Sequence, residues 1–518
     1  MIARRMALIV VGLVLLAGCQ GTTKAPVAAP SSAGRPTASS PSQKGSRIEN
    51  AYPGVRGWQI PDSRATDAIS GYADHVSVLP GQPVRLFVSS RARSYTVTAL
   101  RMGWYGGLQA RVVWQSGRLP GVQQSAPAVG PAPRRTVVAR WSPSLTVDTT
   151  GWTEGDYLLK LDAGSAGAHF VPLVVRSDST AGRVVILNAV TTWQAYNAWG
   201  GYSLYHGAGG RTDFAGRARA VNFDRPYDRD GANLFINYEQ PVVAYAEKQG
   251  VPLAYVTTTD VIANPQLLDG ARAILSLGHD EYWTPALKQV VTTARDRGTN
   301  LAFLGANAVY RRIRLDQSAL GYGANRVEVD YKIGREDPLY GHDNSQVTAN
   351  FPDQPDPQPQ NDLIGMLYEC FGAQDAYVVQ RPDFWLFAGT GVRQGTRFPG
   401  LVGPEYDRAY PKPGTPRPLE VVAHSPVSCR GVHSYSDSTY YVARSGAAVF
   451  ATGTMRWTCA LAGRCQKVGI NAAGSRFVRI VLARLLTAYA AGPAGRQHPA
   501  VDNFPSLHEP ARNVTGAA

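Results

Sequence analysis

The sequence predicts an all-β immunoglobulin-like sandwich followed by an α/β domain with a doubly wound, mostly parallel sheet. Three observations predict this order. The chain has 518 residues, more than one typical domain contains. Short runs that partly alternate between apolar and polar residues fill residues 49–177, and continuous apolar runs that alternate with helical patterns fill residues 178–492. We therefore expect two folded domains with these boundaries.

The short runs in residues 49–177 are rich in Val, Leu and aromatic residues and are predicted to be strands. They include VSVLPGQPVRLFVSS, YTVTALRMGWY, ARVVWQSG and GDYLLKLDAG. Gly, Pro and Ser separate them at intervals of about a dozen residues, which is typical of a β-sandwich. The tryptophans of this region are expected in the core or on a sheet face.

Continuous apolar runs in the second region are predicted to be buried strands: GRVVILNAV, PLAYVTT, ARAILSLG and NLAFLGAN, at residues 182–190, 252–258, 271–278 and 300–307. Their continuity indicates that both faces of the sheet are covered. Thr284 and Pro285 are typical of a helix start. Because strands and helices alternate, the sheet is predicted to be mostly parallel. Residues 308–445, rich in Pro, Gly and Asp, are predicted to be surface insertions around further strands.

The two ends of the chain are predicted to lie outside the folded domains. A basic start, a short apolar run and the sequence LAGC resemble a bacterial lipoprotein signal, so residues 1–18 are predicted to be a signal peptide and Cys19 to carry a lipid. An ordinary signal peptide is the alternative. Residues 19–48, rich in Pro, Ser, Ala and Thr, are predicted to be a disordered tether, and residues 493–518 an irregular tail. We therefore expect an exported protein, lipid-anchored to the bacterial cell membrane.

Four further cysteines are present: Cys370, Cys429, Cys459 and Cys465. An even number in an exported chain predicts disulfides. The short loop CALAGRC favours Cys459–Cys465, which leaves Cys370–Cys429, although the other pairings stay open. A zinc site built from the four thiolates is disfavoured because no C-x2-C spacing occurs.

The formal net charge of +14 comes mainly from scattered arginines. The sequence contains no zinc-finger spacing, no RNA-binding motif and no basic run interleaved with aromatic residues. We therefore expect no nucleic-acid partner. Attraction to an anionic cell envelope accounts for the charge equally well.

Polar residues follow several predicted strands at their carboxyl ends. The first strand runs into TTWQAYNAWGG, the third into His279, Asp280 and Glu281, and the fourth into Asn307. Ligands of open α/β sheets bind at this edge. His279 and Glu281 point to the same side if the chain is extended there, and they could hold a metal or act as a base and its orienting partner. The structural alternative is that His279 and Asp280 only tie the strand to the next helix, with Glu281 in solvent.

Tyr196 lies between Trp193 and Trp199, and this three-residue spacing predicts one side of a short helical turn. A phenolate oxygen is a hard metal ligand. Because the pKa of a phenol is about 10, only a strong Lewis acid such as a ferric ion would ionise it at neutral pH.

Five sequence blocks resemble the large (beta) subunit of N,N-dimethylformamidase and its relatives. The blocks are TWQAYNAWGGYSLY, FDRPYD, SLGHDEYW, NLAFLGANAVY and DYKIGREDP, and the resemblance covers about residues 180–490. It implies a catalytic domain like that of class I glutamine amidotransferases, without their cysteine nucleophile. It also implies hydrolysis of a small tertiary amide at a mononuclear iron held by two tyrosines and a glutamate, with a histidine nearby.

Carried over residue by residue, the resemblance implies iron ligation by Glu281 and Tyr196. It implies that His279 is the neighbouring histidine. The second tyrosine is Tyr238, which has the more fitting distance from Tyr196, or Tyr227, which lies in the recognisable RPY block. The resemblance favours ferric iron over zinc.

Two hypotheses about function follow. The first is a metal-dependent amidohydrolase that cleaves a non-peptide C–N bond of a small molecule, with Asp280 or Asn307 orienting a ligand. The second is a non-catalytic binding or scaffolding lipoprotein of the cell envelope that keeps the fold and takes a glycan or peptide ligand. The substrate, the need for a small subunit and the oligomeric state stay open.

Overall fold

Residues 49–462 and 467–507 are described by a computed structural model. The signal peptide, Cys19, the tether, Cys465 and the last part of the predicted tail lie outside these ranges, so what was predicted for them stays a prediction. None of the helices in the described ranges is long and apolar enough to cross a membrane.

Most strands of the first region form two sheets that share one core, and Ala128–Val129 pairs separately with Val137–Val138. The smaller sheet has the strand order Ile69–Ala73, Val84–Ser90, Leu145–Val147. The larger has the order Ser77–Val78, Ala168–Val175, Gly155–Asp162, Ser94–Met102, Ala110–Gln115, with Leu119–Pro120 pairing to Ser94–Met102. Leu86 and Val88 of the smaller sheet lie in one buried cluster with Val97 and Leu159 of the larger. The apolar faces of the two sheets therefore pack together, and the immunoglobulin-like assignment stays a prediction.

The second region is built on a central sheet, which has seven strands within the described ranges. In chain order they are β1 (Val184–Asn188), β2 (Leu253–Thr257), β3 (Ala273–Gly278), β4 (Asn300–Gly305), β5 (Leu419–Cys429), β6 (Val432–Val442) and β7 (Ala448–Ala451). The spatial order is β2-β1-β3-β4-β7-β6-β5. The first five strands in this order are parallel, and β6 and β5 are antiparallel additions.

Helices cover both faces of this sheet. They are α1 (Val190–Tyr196), α2 (Gln240–Lys248), α3 (Thr258–Ala263), α4 (Pro285–Asp296), α5 (Asn361–Ile364), α6 (Arg456–Ala462) and α7 (Ala472–Ala491). Val184 and Ile186 of β1 belong to a buried cluster with α2 and α7, whereas Val185 and Leu187 belong to a second cluster with α4. This alternation explains the continuous apolar run, since each strand residue faces one apolar layer or the other. The resemblance to glutamine amidotransferases stays a prediction.

Helix α4 begins where the sequence indicates. The Thr284 hydroxyl accepts a hydrogen bond from the Leu287 backbone N–H at 3.1 Å, and Pro285 occupies the first helical position. The cap satisfies one of the amide groups that the first turn leaves free. It also fixes the point where the polar residues after β3 give way to helix.

Short strands from residues 308–445 form small sheets outside the central sheet. They are Arg311–Arg312, Arg314–Asp316, Val327–Val329, Ala349–Asn350, Leu367–Phe371, Asp375–Val378, Arg397–Val402 and Glu405–Arg408. Two strands of the preceding chain, Ala220–Asn222 and Tyr282–Trp283, pair with members of this set. These sheets bring residues that are distant in the chain close to one another.

The predicted disulfide between Cys370 and Cys429 is confirmed. It joins the strand Leu367–Phe371 to the end of β5. Cys459 is also disulfide-bonded, but its predicted partner Cys465 lies outside the described residues.

Candidate functional site

The candidate site lies at the carboxyl ends of β1 and β3. His279 and Glu281 follow β3, and Tyr196 ends α1, the helix that follows β1. The Tyr196 hydroxyl donates to Glu281 Oε2 at 2.7 Å, and His279 Nε2 lies 3.3 Å from the same oxygen. The structure thus brings together three of the residues that the sequence singled out. Gly278 makes the turn after β3 with φ of 63°, and a side chain there would collide with Tyr238.

A directed chain of hydrogen bonds ends on Glu281. Lys332 Nζ donates to the Tyr282 hydroxyl at 3.0 Å, and that hydroxyl donates to the Tyr205 hydroxyl at 2.6 Å. Tyr205 in turn donates to the two Glu281 oxygens at 3.1 and 3.0 Å. Lys332 Nζ also lies 3.4 Å from the centre of the Tyr205 ring. Sequence reasoning gave no role to these three residues, although Lys332 lies in one of the blocks that carry the family resemblance.

A second carboxylate lies near the same nitrogen of His279. Glu405 Oε2 lies 3.4 Å from His279 Nε2 and accepts a hydrogen bond from Asn307 Nδ2 at 2.8 Å. The Asn307 backbone, with φ of 58°, donates to Asp407 Oδ1 at 2.8 Å. Asparagine tolerates this left-handed conformation better than most residues. Glu405 was missed because nothing in the sequence near it marks it as part of a site.

Asp280 has a structural role. Its two oxygens accept hydrogen bonds from the Ser276 hydroxyl at 2.9 Å and from Trp283 Nε1 at 2.8 Å. It therefore ties the end of β3 to the chain that follows, as the structural alternative expected. Glu281, however, is buried with 2 % of its surface exposed, and does not lie in solvent as that alternative supposed.

His279 carries a positive charge at neutral pH. Burial alone would lower its pKa, but Glu405 and Glu281 outweigh burial and raise the pKa of His279 to about 10. Burial would raise the pKa of Glu281, but His279, Arg311 and Lys332 hold it below its usual range. Arg311 Nε lies 3.3 Å from Glu281 Oε1. A buried cation is thus held between two carboxylates, the condition under which buried charges persist.

The tyrosines around Glu281 keep their protons. Burial, followed by the charge of Glu281, raises the pKa of Tyr196, Tyr205 and Tyr282 well above the usual value. Their hydroxyls are therefore hydrogen-bond donors at neutral pH. Tyr196, Tyr205 and Tyr238, which border the buried charges, are themselves half-buried.

The prediction of an iron centre, with zinc as the alternative metal, is wrong. Among the described residues, no group of three or more His, Cys, Asp or Glu side chains could hold a metal ion. The proposed ligand set also does not fit, because the Tyr196 hydroxyl is a donor to Glu281. Tyr238 packs on the His279 ring, with centroids 6.3 Å apart, and Tyr227 lines a cavity beyond Tyr196.

That cavity has a volume of about 440 Å³. Its walls include Trp193, Tyr196, Tyr227, Asp228, Arg229 and Phe235. Tyr196 is therefore shared by the cavity and the charged cluster, because it lines the cavity and its hydroxyl donates to Glu281. Concave sites of this size, mostly apolar with a few polar groups, are typical of small-molecule binding.

The residues described above lie at the carboxyl edge of the parallel strands, where open α/β sheets bind their ligands. The chain belongs to the N,N-dimethylformamidase beta subunit-like family. The model of this family's C-terminal part matches residues 96–469. The family predicted from the sequence blocks is thus confirmed, and the match extends into the preceding β region.

Other comparisons add little. No curated protein matches the chain. One similar solved structure is a cycloisomaltooligosaccharide glucanotransferase from Paenibacillus sp., complexed with cycloisomaltoheptaose. It is 15% identical, the match covers 23% of this chain and 15% of that chain, and the TM-score is 0.14. A likeness this slight carries no argument about fold or function.

Proposed function

We propose that this protein hydrolyses the C–N bond of a carboxamide. The observation that carries the proposal is His279, buried between Glu281 and Glu405 at 3.3 and 3.4 Å, in a chain whose family is named after an amidase. A charged imidazole held between carboxylates is suited to giving a proton to a leaving amine.

The hydroxyls of Tyr196 and Tyr205 are suited to binding the amide carbonyl. Both stay protonated, and each would turn its single proton from Glu281, which it contacts in the free protein, to the carbonyl oxygen of a bound amide. Negative charge develops on the carbonyl oxygen when water attacks, and these two donors would stabilise it. Arg311, 3.3 Å from Glu281 Oε1, keeps the charge of Glu281 compensated when the two hydroxyls turn to the amide.

The proton transfers close into a cycle. The oxygen of a water molecule bonds to the carbonyl carbon, and Glu405 accepts a proton from that water. The C–N bond then breaks as His279 gives a proton to the nitrogen, releasing a carboxylic acid and an amine. Glu405 returns its proton to His279 across 3.4 Å, which restores the starting state.

The test is amine release by the purified full chain from a panel of neutral secondary and tertiary amides, followed by NMR. We expect His279→Gln and Glu405→Gln each to lower kcat by roughly 100-fold or more, since general acid–base catalysis contributes about that much. Asp296→Asn, an exposed change on α4, is the matched control and should leave the rate unchanged. Unchanged amine release in a folded His279→Gln variant would reject the proposal.

The binding-protein alternative keeps one observation in its favour, the aromatic cavity beside the charged cluster. It makes a different prediction for the same variants. A pure binding protein would release no amine, and would retain a cavity ligand with unchanged affinity in His279→Gln.

We also propose that the protein is exported and lipid-anchored at Cys19, because LAGC follows a basic start and an apolar run. Metabolic labelling with a fatty acid should mark the full chain in a bacterial host and fail to mark Cys19→Ser. Equal labelling of both chains would contradict the anchor.

A further inference from the structure

The cavity beside Tyr196 is larger than a small tertiary amide requires. Its volume of about 440 Å³ falls in the range of sites that enclose drug-sized ligands. A dimethylated amide placed against Tyr196 would leave most of that space to water. The size of the cavity therefore argues for a larger occupant than the family resemblance implies.

The inner wall of the cavity is aromatic. Trp193 and Phe235 meet edge to face with ring centroids 5.7 Å apart, and Tyr227 packs against the same buried cluster. The Trp193 indole N–H donates to Glu239 at 2.6 Å, so its polar atom is already satisfied and the ring offers only apolar surface. Such a wall favours an aromatic or branched apolar group.

The polar groups of the cavity carry both signs of charge. Asp228 Oδ2 accepts from the Ala198 backbone N–H at 3.3 Å, and Arg229 Nη1 lies 3.4 Å from Asn233 Oδ1. One carboxylate and one guanidinium lie side by side in the chain, so neither sign prevails. An occupant with a net charge would gain little here, and a neutral one suits the lining.

We propose that the substrate is a neutral amide with an aromatic or bulky apolar substituent, and that this substituent lies between Trp193 and Tyr227. The amide group of this substrate then extends past Tyr196 to Glu281 and His279. Tyr196 lines the cavity and also contacts Glu281. This inference rests on the proposed amide hydrolysis and names the class of substrate.

The test compares two tertiary amides, N,N-dimethylformamide and N,N-dimethylbenzamide, on the full chain. We expect kcat/KM to be at least about tenfold higher for the aromatic amide, since its ring alone fills the apolar space. Ala198, half-buried in the cavity wall, offers a site for narrowing it. Ala198→Phe should lower kcat/KM for the benzamide about tenfold and leave the formamide rate within about twofold.

Ala215→Phe is the matched control, because Ala215 is exposed in a nearby loop and does not line the cavity. Asn233→Phe narrows the cavity from another side and replaces Ala198→Phe if that variant does not fold. Equal kcat/KM values for the two amides would overturn the inference while leaving amide hydrolysis intact. So would an equal loss of kcat/KM for both amides in a folded Ala198→Phe or Asn233→Phe variant.

If neither amide is cleaved, the proposed function fails and the cavity is tested by binding. N,N-dimethylbenzamide should show ligand-observed NMR signals with the wild-type chain that Ala198→Phe or Asn233→Phe abolishes. Absence of binding to the wild-type chain would overturn the inference as well.

Discussion

The two sides of Tyr196 differ in how they are built. On the Glu281 side, buried charges are held in place by a chain of donors that begins at Lys332. On the cavity side, aromatic surface and empty space prevail, and the polar groups carry both signs. The difference indicates that the residues on the Glu281 side carry out the reaction and that the residues on the cavity side determine which substrate binds. Changes on the first side should affect every substrate alike, whereas changes on the second should separate one substrate from another.

The largest effect should come from Glu281→Leu. It leaves His279 and Arg311 without their shared counter-charge, and breaking a buried ion pair from one side costs about 3–5 kcal/mol. We expect the free energy of unfolding in urea to fall by that amount and amine release to cease for both test amides. Glu281→Gln, which keeps the shape, is the control and should lose less stability. Full stability in Glu281→Leu would show that the ion pairs do not hold this side together.

Lys332→Met should have a smaller, uniform effect. The lysine begins the donor chain, and its backbone N–H donates to Asp330 Oδ1 at 2.7 Å while its φ is 62°. Without the Lys332 donor the hydroxyls of Tyr282 and Tyr205 lose their fixed direction, so we expect kcat to fall about tenfold for both amides with KM unchanged. Lys332→Arg should recover part of the rate. A loss confined to one amide would contradict the division between the two sides.

Tyr227→Leu should have the smallest effect and a selective one. The ring lines the cavity and takes no part in the donor chain. An aromatic contact contributes about 0.5–1.5 kcal/mol, so KM for N,N-dimethylbenzamide should rise about threefold to tenfold. The formamide should be cleaved at the wild-type rate. A change of kcat for both amides would instead show that Tyr227 acts with the residues on the Glu281 side of Tyr196.

Much of the site's position followed from local sequence. The apolar run at residues 271–278 forms β3. Polar residues that follow parallel strands gather at the carboxyl ends of those strands, which predicts that Tyr196 and Glu281 lie close together. The distance from the Tyr196 hydroxyl to Glu281 Oε2 is 2.7 Å. The start of α4 follows from Thr284 and Pro285, as the sequence predicts. These features depend on neighbours in the chain, which a sequence shows directly.

Two of the missed residues depend on distant pairing. Glu405 and Lys332 reach the site through short strands in residues 308–445, whose pairing partners no local pattern reveals. Iron was inferred from the family resemblance and from the chemistry of the residue types. Residue types do not show that burial keeps Tyr196 protonated and a donor to Glu281. The protonation state is set by the assembled surroundings, so it had to come from the structure.

The Cys370–Cys429 disulfide has a practical consequence for any assay. Cys370 is paired with Tyr406, and Phe371 with Glu405, in the two-stranded sheet that presents this carboxylate to His279. Chain produced in a reducing cytoplasm would lack the covalent tie behind that sheet. If such a preparation is inactive, the missing disulfide could be the cause. The catalytic residues should therefore be tested only in protein that was folded under oxidising conditions.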